Sequence, residues 1–405
     1  MLQNIISSTF RSANALCLVL CVGAVAVLAS CESPGSVGSG LSESGADVEI
    51  MRDTIGIVDT LGFQSYSGNY SHFSAGMYND PLFGELTARG LVKPSLPASG
   101  DTLEEGATMK MRIIFDSGQV YGDTLADQEF EVYKIEEYWR GRAYKLNDNI
   151  QLDRSQTVAS FTAGTEDSMD VVLDPGWVSD YYYKYAESGE ANADSLYENE
   201  VYGLAIVPSG SNKIIPLDAQ STRFVIENPE TDTFQVASSQ WAFDMSRTNE
   251  PEHPEGSVAV YNMMEKLLSF QLDISDIDIN GPNISRAELI FYQDDTTMKQ
   301  SISGSVKRPQ PQSAQLQFVN SAQVPDNLIA GSPVSSATYS EDDQAFHFNI
   351  TSLMQNGLVS GFPENRRFYF MLPNNGTVKA SLISLDSTGE RAPKLVITYL
   401  KTSTD

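Results

Sequence analysis

The chain has 405 residues, with 26 Lys and Arg against 53 Asp and Glu, a formal net charge of −27 at pH 7. Nucleic-acid binding is excluded, because it needs clustered cations and here they are scattered singly among twice as many carboxylates; the same charge repels an anionic membrane surface. A hydrophobic fraction of 41% with 10% aromatics supplies real cores and rules out a chain disordered throughout.

Residues 13–29 form an uncharged apolar run preceded by Arg11, the only charged residue of the first 30. The run is shorter than the roughly 20 residues a membrane span needs and ends in small residues, which is the layout of a secretory signal. The segment Leu28-Ala29-Ser30-Cys31 resembles a bacterial lipobox. Residues 1–30 are then a leader, and Cys31 is the lipidated first residue of the mature chain. The alternative is an uncleaved N-terminal anchor helix. Both place the body of the protein outside the cytoplasm, with a lipid-anchored position on the outer membrane the expectation. Cys17 and Cys21 go with the leader and Cys31 is acylated, so stability rests on cores and not on disulfides. Residues 31–47 read as a Gly/Ser-rich tether.

Beyond the tether, helical periodicity is scarce, while alternation of period two and turn residues recur along the whole length. In the run from Thr108 to Phe115, Met109, Met111, Ile113 and Phe115 share one face and Lys110 and Arg112 the other. Residues 344–350 alternate likewise, with Phe346, Phe348 and Ile350 together. Long loops are expected at 175–199 and 296–315. The fold class is therefore all-β, with antiparallel sandwiches of jelly-roll or Ig-like type.

Laid against itself, the sequence repeats. Residues 110–115 match 286–291 at an offset of 176, 171–174 match 348–351 at 177, 204–208 match 369–373 at 165, and 223–226 match 394–397 at 171. Four matches in one order predict two tandem β-sandwich domains from an internal duplication. Their expected bounds are 48–228 and 257–405, joined by a linker at 229–256.

With these features in place, the chain resembles a family of Bacteroidota lipoproteins catalogued as domain-of-unknown-function family 4270. The resemblance rests on Tyr78-Asn79-Asp80-Pro81-Leu82-Phe83-Gly84, and on Tyr121-Gly122-Asp123-Thr124 followed by Phe130-Glu131-Val132-Tyr133-Lys134-Ile135. The segment from Ala392 to Tyr399 is similar to the closing strand of jelly-roll modules on cell-surface and carbohydrate-binding proteins. The resemblance implies a location and an architecture; it brings no catalytic residues with it.

Motifs for common chemistries are lacking: the sequence has no HExxH, GxSxG, GxxxxGK or GxGxxG. The three histidines, His72, His253 and His347, are scattered, so no zinc site is expected. Asp276-Ile277-Asp278-Ile279-Asn280-Gly281 starts like a calcium loop, but position 12 is Ala287 and not Glu, and the alternating Ile residues suggest a strand entering a turn. No cofactor is expected, with calcium held in sandwich loops left open. The aromatic run Trp177, Tyr181, Tyr182, Tyr183 and Tyr185 is the candidate ligand-binding feature, against the alternative that it packs under a loop. Trp139 and Trp241 are weaker candidates of the same type.

The reading is a non-enzymatic cell-envelope lipoprotein that binds a polysaccharide or an envelope protein through loop aromatics. A structural component of an outer-membrane complex is the second reading. A glycoside hydrolase using two of the 53 acidic side chains is the third.

Overall fold

The computed structural model describes residues 46–402 apart from 56, 63–64, 98–100, 102, 184, 186–192, 231–232, 264–265, 273–278, 321–332, 363–365 and 386–388. The leader, Cys31 and the tether up to residue 45 lie outside the described residues, as do Asp276, Ile277 and Asp278 of the Asp276 segment. The chain forms two compact units, residues 1–50 with 398–405, and residues 51–397. In the smaller unit, Tyr399 Oη and Lys401 Nζ donate to the Glu49 carboxylate at 2.6 and 2.9 Å.

The strands in chain order are β1 (Ala46–Thr54), β2 (Ile57–Gly62), β3 (His72–Asp80), β4 (Gly84–Pro94), β5 (Thr108–Ile114), β6 (Tyr121–Asp123), β7 (Gln128–Ile135), β8 (Leu152–Ala163), β9 (Ser168–Val172), β10 (Leu204–Pro208), β11 (Asn212–Asp218), β12 (Arg223–Glu227) and β13 (Phe234–Thr248). They continue as β14 (Ser257–Tyr261), β15 (Lys266–Phe270), β16 (Ile284–Tyr292), β17 (Val306–Lys307), β18 (Ser313–Asn320), β19 (Ser335–Ser340), β20 (Ala345–Asn349), β21 (Arg366–Met371), β22 (Ala380–Ser384) and β23 (Lys394–Thr402). The protein is all-β and antiparallel, as the alternation implies. In β5, Met109, Met111 and Ile113 are buried, while Lys110 and Arg112 on the other face pair with Glu227 and Asp170.

The first sheet system is a sandwich. One layer runs β9-β5-β12 and ends on the first residues of β13. After Ser238 the strand β13 slips register by a bulge and crosses to the other layer, where it pairs with β4 along Gln240–Thr248. On its opposite edge β4 meets β3 near its start and β10 near its end. From there the layer continues through β7 to β8 on one branch and through β11 to β6 on the other. Met109, Met111, Phe224 and Ile226 from the first layer meet Phe73, Leu86, Val92, Leu204 and Ile214 from the second in one buried cluster. The alternating side chains of facing strands thus make a single apolar interior.

The second system runs β23-β16-β20-β19-β18-β21-β15-β2, with β14 and β22 as a separate ribbon. Phe270, Phe291, Phe348, Phe368 and Phe370 fill it, with neighbouring ring centroids 4.9 to 6.0 Å apart. The two systems are joined by more than a tether, because β17 adds to β6 through Val306–Asp123 and Lys307–Gly122.

Two expectations change. The segment 229–256 is not a linker: it contains β13, whose 15 residues bind both layers of the first sandwich. Conversely β2, expected inside the first domain, pairs with β15 in the second system. The loop 175–199 carries helical turns at Pro175–Trp177, Val178–Tyr183 and Ala193–Glu200.

Candidate functional site

A concavity forms where β4 and β13 lie side by side. Antiparallel register sets Arg89 directly opposite Asp244, and opposite charges at such a position attract across the ladder. The guanidinium is bidentate on the carboxylate, with Nε and Nη2 each 2.6 Å from an oxygen. Tyr144 Oη donates to the same carboxylate at 3.0 Å, and Arg89 Nη2 also donates to Asn149 Oδ1 at 2.9 Å. Burial pushes the Asp244 carboxyl above its ordinary value, against the pull of Arg89 and Tyr144. It likewise raises the Tyr144 hydroxyl, which therefore stays a donor.

The segment 144–149 is built as a rigid shelf over this pair. Leu146 N donates to Ser65 O, Met245 N to Leu146 O, and Ser67 N to Tyr144 O, at 2.7 to 2.9 Å. Within the turn, Lys145 N donates to Asp148 Oδ2 and Asp148 N to Lys145 O. Backbone groups of residues 144–146 and 148 are thus partnered, and the side chains of Asn147, Asp148 and Asn149 are exposed.

Two concavities adjoin at this shelf. One, of about 790 Å³, is lined by Thr87, Arg89, Asn147, Asp148, Asn149, Asp244, Ser246 and Arg247, among others. The second, of about 460 Å³, is lined by Tyr138, Trp139, Arg140, Tyr144, Asp148, Asn149 and Ile150, among others. Asp148 and Asn149 belong to both. Trp139 is buried, donates Nε1 to Tyr202 O at 2.7 Å and meets Tyr144 edge-on at 5.8 Å, so it fixes the floor. Tyr138 is 51% exposed, edge-on to Tyr202 at 6.3 Å, and accepts a hydrogen bond from Arg140 Nε. It is a ring held in place with much of its surface in water.

Three of the four formal charges lining the larger cleft are engaged, and the fourth, Asp148, is exposed. Arg89 and Asp244 neutralise each other, and Arg247 stacks on Tyr261 at 3.5 Å while donating to Phe83 O. This cleft offers a ligand the amides of Asn147 and Asn149, the hydroxyls of Thr87 and Ser246 and the carboxylate of Asp148, and the adjoining one adds the ring of Tyr138.

The aromatic run expected to bind ligand is placed differently. Trp177 and Tyr185 are core residues, 3% and 7% exposed, because the turn starting at Asp174, whose carboxylate caps Trp177 N, folds the segment onto the sandwich. Tyr185 donates to Glu200 and packs on Tyr197. Trp177 also lines a small pocket of about 140 Å³ with Glu200 and Tyr202. Tyr181, Tyr182 and Tyr183 fall in the turn Val178–Tyr183, and their side chains lie outside the described residues. Trp241 is half-buried and donates to Tyr70 O. The histidines are apart from one another, His72 near Asp116, His253 on Glu250 and His347 on Asp343. Among the described residues no group of His, Cys, Asp and Glu could hold a metal ion, and no helix is long and apolar enough to cross a membrane.

The sequence hid Arg89, Asp244 and the 147–149 shelf. Arg89 and Asp244 are 155 positions apart and meet only through the β4–β13 register. Only the Tyr138-Trp139-Arg140 cluster was visible beforehand.

No protein-family model and no curated protein matches the chain. Among solved structures, one titled "Structure of PNGF-II in P21 space group" is similar at 9% identity with a TM-score of 0.12, covering 89% of this chain. The chain spans 66% of that protein's length. The VP2 subviral particle of infectious bursal disease virus is similar at 10% identity with a TM-score of 0.10, covering 92% of this chain and 83% of that one. Likeness at this level carries no argument about fold or function.

Proposed function

We propose that this chain is the displayed part of a lipid-anchored cell-envelope protein that binds a neutral polysaccharide without chemically altering it. The observation that carries this reading is the shelf 147–149, which belongs to two adjoining clefts, the larger of which holds the Arg89–Asp244 ion pair. A glycan chain lying across the shelf would meet the amides of Asn147 and Asn149, the hydroxyls of Thr87 and Ser246, and the ring of Tyr138. A rigid aromatic with a polar tip is suited to stacking on a sugar face at small entropic cost. The net charge of −27 disfavours acidic glycans. Asp244 is committed to Arg89 and Tyr144, so it is not a free acid for hydrolysis. The lipobox at Cys31 and the resemblance of residues 78–84 and 121–135 to the lipoprotein family support the envelope location.

The test is thermal melting of the full chain in detergent against a soluble β-glucan, a xylan, a mannan and an acidic pectin. A ligand that binds only the folded state raises the melting temperature. A saturable rise with a neutral glycan, absent from the double variant Tyr138→Ala and Asn149→Ala, supports the proposal. No rise with any glycan, or a rise that the double variant retains, overturns it and leaves a role in envelope assembly ahead.

A further inference from the structure

The pairing in the two sheet systems corresponds at a series of positions. A single bridge joins the end of β5 to β11 through Phe115 and Leu217, and another joins the end of β16 to β22 through Gln293 and Ile383. Met111 faces Val171 in β5–β9, and Leu289 faces Phe348 in β16–β20. Ala205 lies between Leu91 and Tyr133, and Phe370 lies between Leu268 and Leu316. These pairs put β5 and β16 at an offset of 178, two residues from the 176 of the sequence match, a shift that keeps every side chain on its face.

On the far edge of Leu91 stands Ala242 of β13, and on the far edge of Leu268 stands Thr60 of β2. Both β13 and β2 skip one residue beside this place, between Ser238 and Gln240 in one and between Ile57 and Asp59 in the other. Two residues before β2 the chain also reaches the strand equivalent to β12, since Ile55 N donates to Pro393 O at 2.9 Å just before β23. So β2 does for the second system what β13 does for the first. Yet in chain order β2 precedes the ten strands β3 to β12, and β13 precedes the ten strands β14 to β23.

We infer that the chain is two repeats, residues 57–227 and 234–402, whose opening strands are exchanged, so that each closes the other repeat's sandwich along an acceptor edge shaped for a strand of this one kind. A second observation has the same symmetry. The short strands β6 and β17 hold the same place in their repeats, between β5 and β7 and between β16 and β18, and they pair with each other antiparallel. Equivalent surfaces meeting each other are the mark of a two-fold relation. The molecule is built as a strand-swapped dimer written into one polypeptide.

The test uses cysteine pairs in the full chain, mapped by non-reducing peptide analysis. Directly opposed residues of an antiparallel pair lie within disulfide range. Exchange predicts a bond in the variant Thr60→Cys with Leu268→Cys and in Ala242→Cys with Leu91→Cys. It predicts none in the unexchanged combinations, Thr60→Cys with Leu91→Cys and Ala242→Cys with Leu268→Cys. Bonds in the unexchanged set alone overturn the inference. Because Leu91 and Ala242 are fully buried and their variants are at risk of not folding, hydrogen exchange of Thr60→Pro gives a second reading. Lost protection at 266–270 with 85–94 intact supports exchange, and the reverse pattern overturns it.

Discussion

Asp80 and Arg308 stand 228 positions apart and form a buried ion pair, with Nε and Nη2 of the arginine 3.0 and 2.8 Å from the carboxylate. Their side chains are 0% and 2% exposed. The same carboxylate accepts Leu82 N, Phe83 N and Tyr121 Oη, five donors in all, and the guanidinium lies 5.0 Å over the Phe83 ring. Asp80, at the end of β3, is therefore latched to Arg308, which follows β17. Removing one member of a buried pair leaves the other charge uncompensated, at a cost of about 3–5 kcal/mol. Asp80→Ala and Arg308→Ala should each destabilise by that amount in denaturant titration. The double variant should cost clearly less than the sum of the two, because the second deletion removes the orphaned charge.

Acid stability should depend on Glu250. Partial burial works against its charge, yet Tyr261 Oη, His253 and Lys266 Nζ all donate to Oε1 and hold the carboxyl down at about 2. A carboxyl held below its unfolded value stabilises the fold above that value and loses the contribution as pH falls, here between about 4.5 and 2. Solvent screening of this half-exposed group limits the contribution to about 1–2 kcal/mol. Stability measured against pH should fall less steeply below pH 4.5 in Glu250→Gln than in the parent.

Trp177 should behave as core. Trp177→Ala is expected to cost about 3–5 kcal/mol, and Trp177→Phe substantially less, with glycan affinity unchanged once the protein is folded. Isothermal titration on Trp177→Phe checks this, since a ligand-stacking role would show as lost affinity at preserved stability.

Asn149 should show the opposite pattern. It is exposed and bonded only at the rim of the Arg89 guanidinium. Asn149→Ala should change stability by less than about 1 kcal/mol and weaken neutral-glycan binding about tenfold, or about 1.4 kcal/mol.

Gly376 has φ +89, and a Cβ there would sit 1.8 Å from His72 O. The loop it belongs to docks on β3 through His72 N to Asn375 O and Ser74 Oγ to Gly376 O, at 3.2 and 2.7 Å. Gly376→Ala must displace backbone as well as adopt a strained φ, so it should cost about 2–3 kcal/mol in thermal unfolding.

What the sequence revealed follows from how each strand is buried. In β5 and β20 one face is core and the other is solvent, so alternation is clean and both were legible. In β13 the bulge at Ser238–Gln240 reverses the phase midway, and Ser238 and Asp244 occupy buried positions. The pattern of period two is thereby broken, and the strand reads as a polar linker. The cleft was hidden for a related reason: Arg89 and Asp244 have no local signature, and only long-range register makes them a pair. Trp177 misled because a cluster of rings among polar residues has one composition whether it lies on a surface or folds under a turn.

The β2–β15 pairing sets an order of events during synthesis. Thr60 and Leu268, which face each other, are 208 positions apart. At ordinary elongation rates of about 5–20 residues per second, β2 waits roughly 10–40 s for its partner strand to be made. The first sandwich likewise lacks β13 until residue 248 has been added. The first sandwich can therefore close well before synthesis ends, whereas β2 stays unpaired until the strands of the second system have been made, so the two halves fold on different schedules.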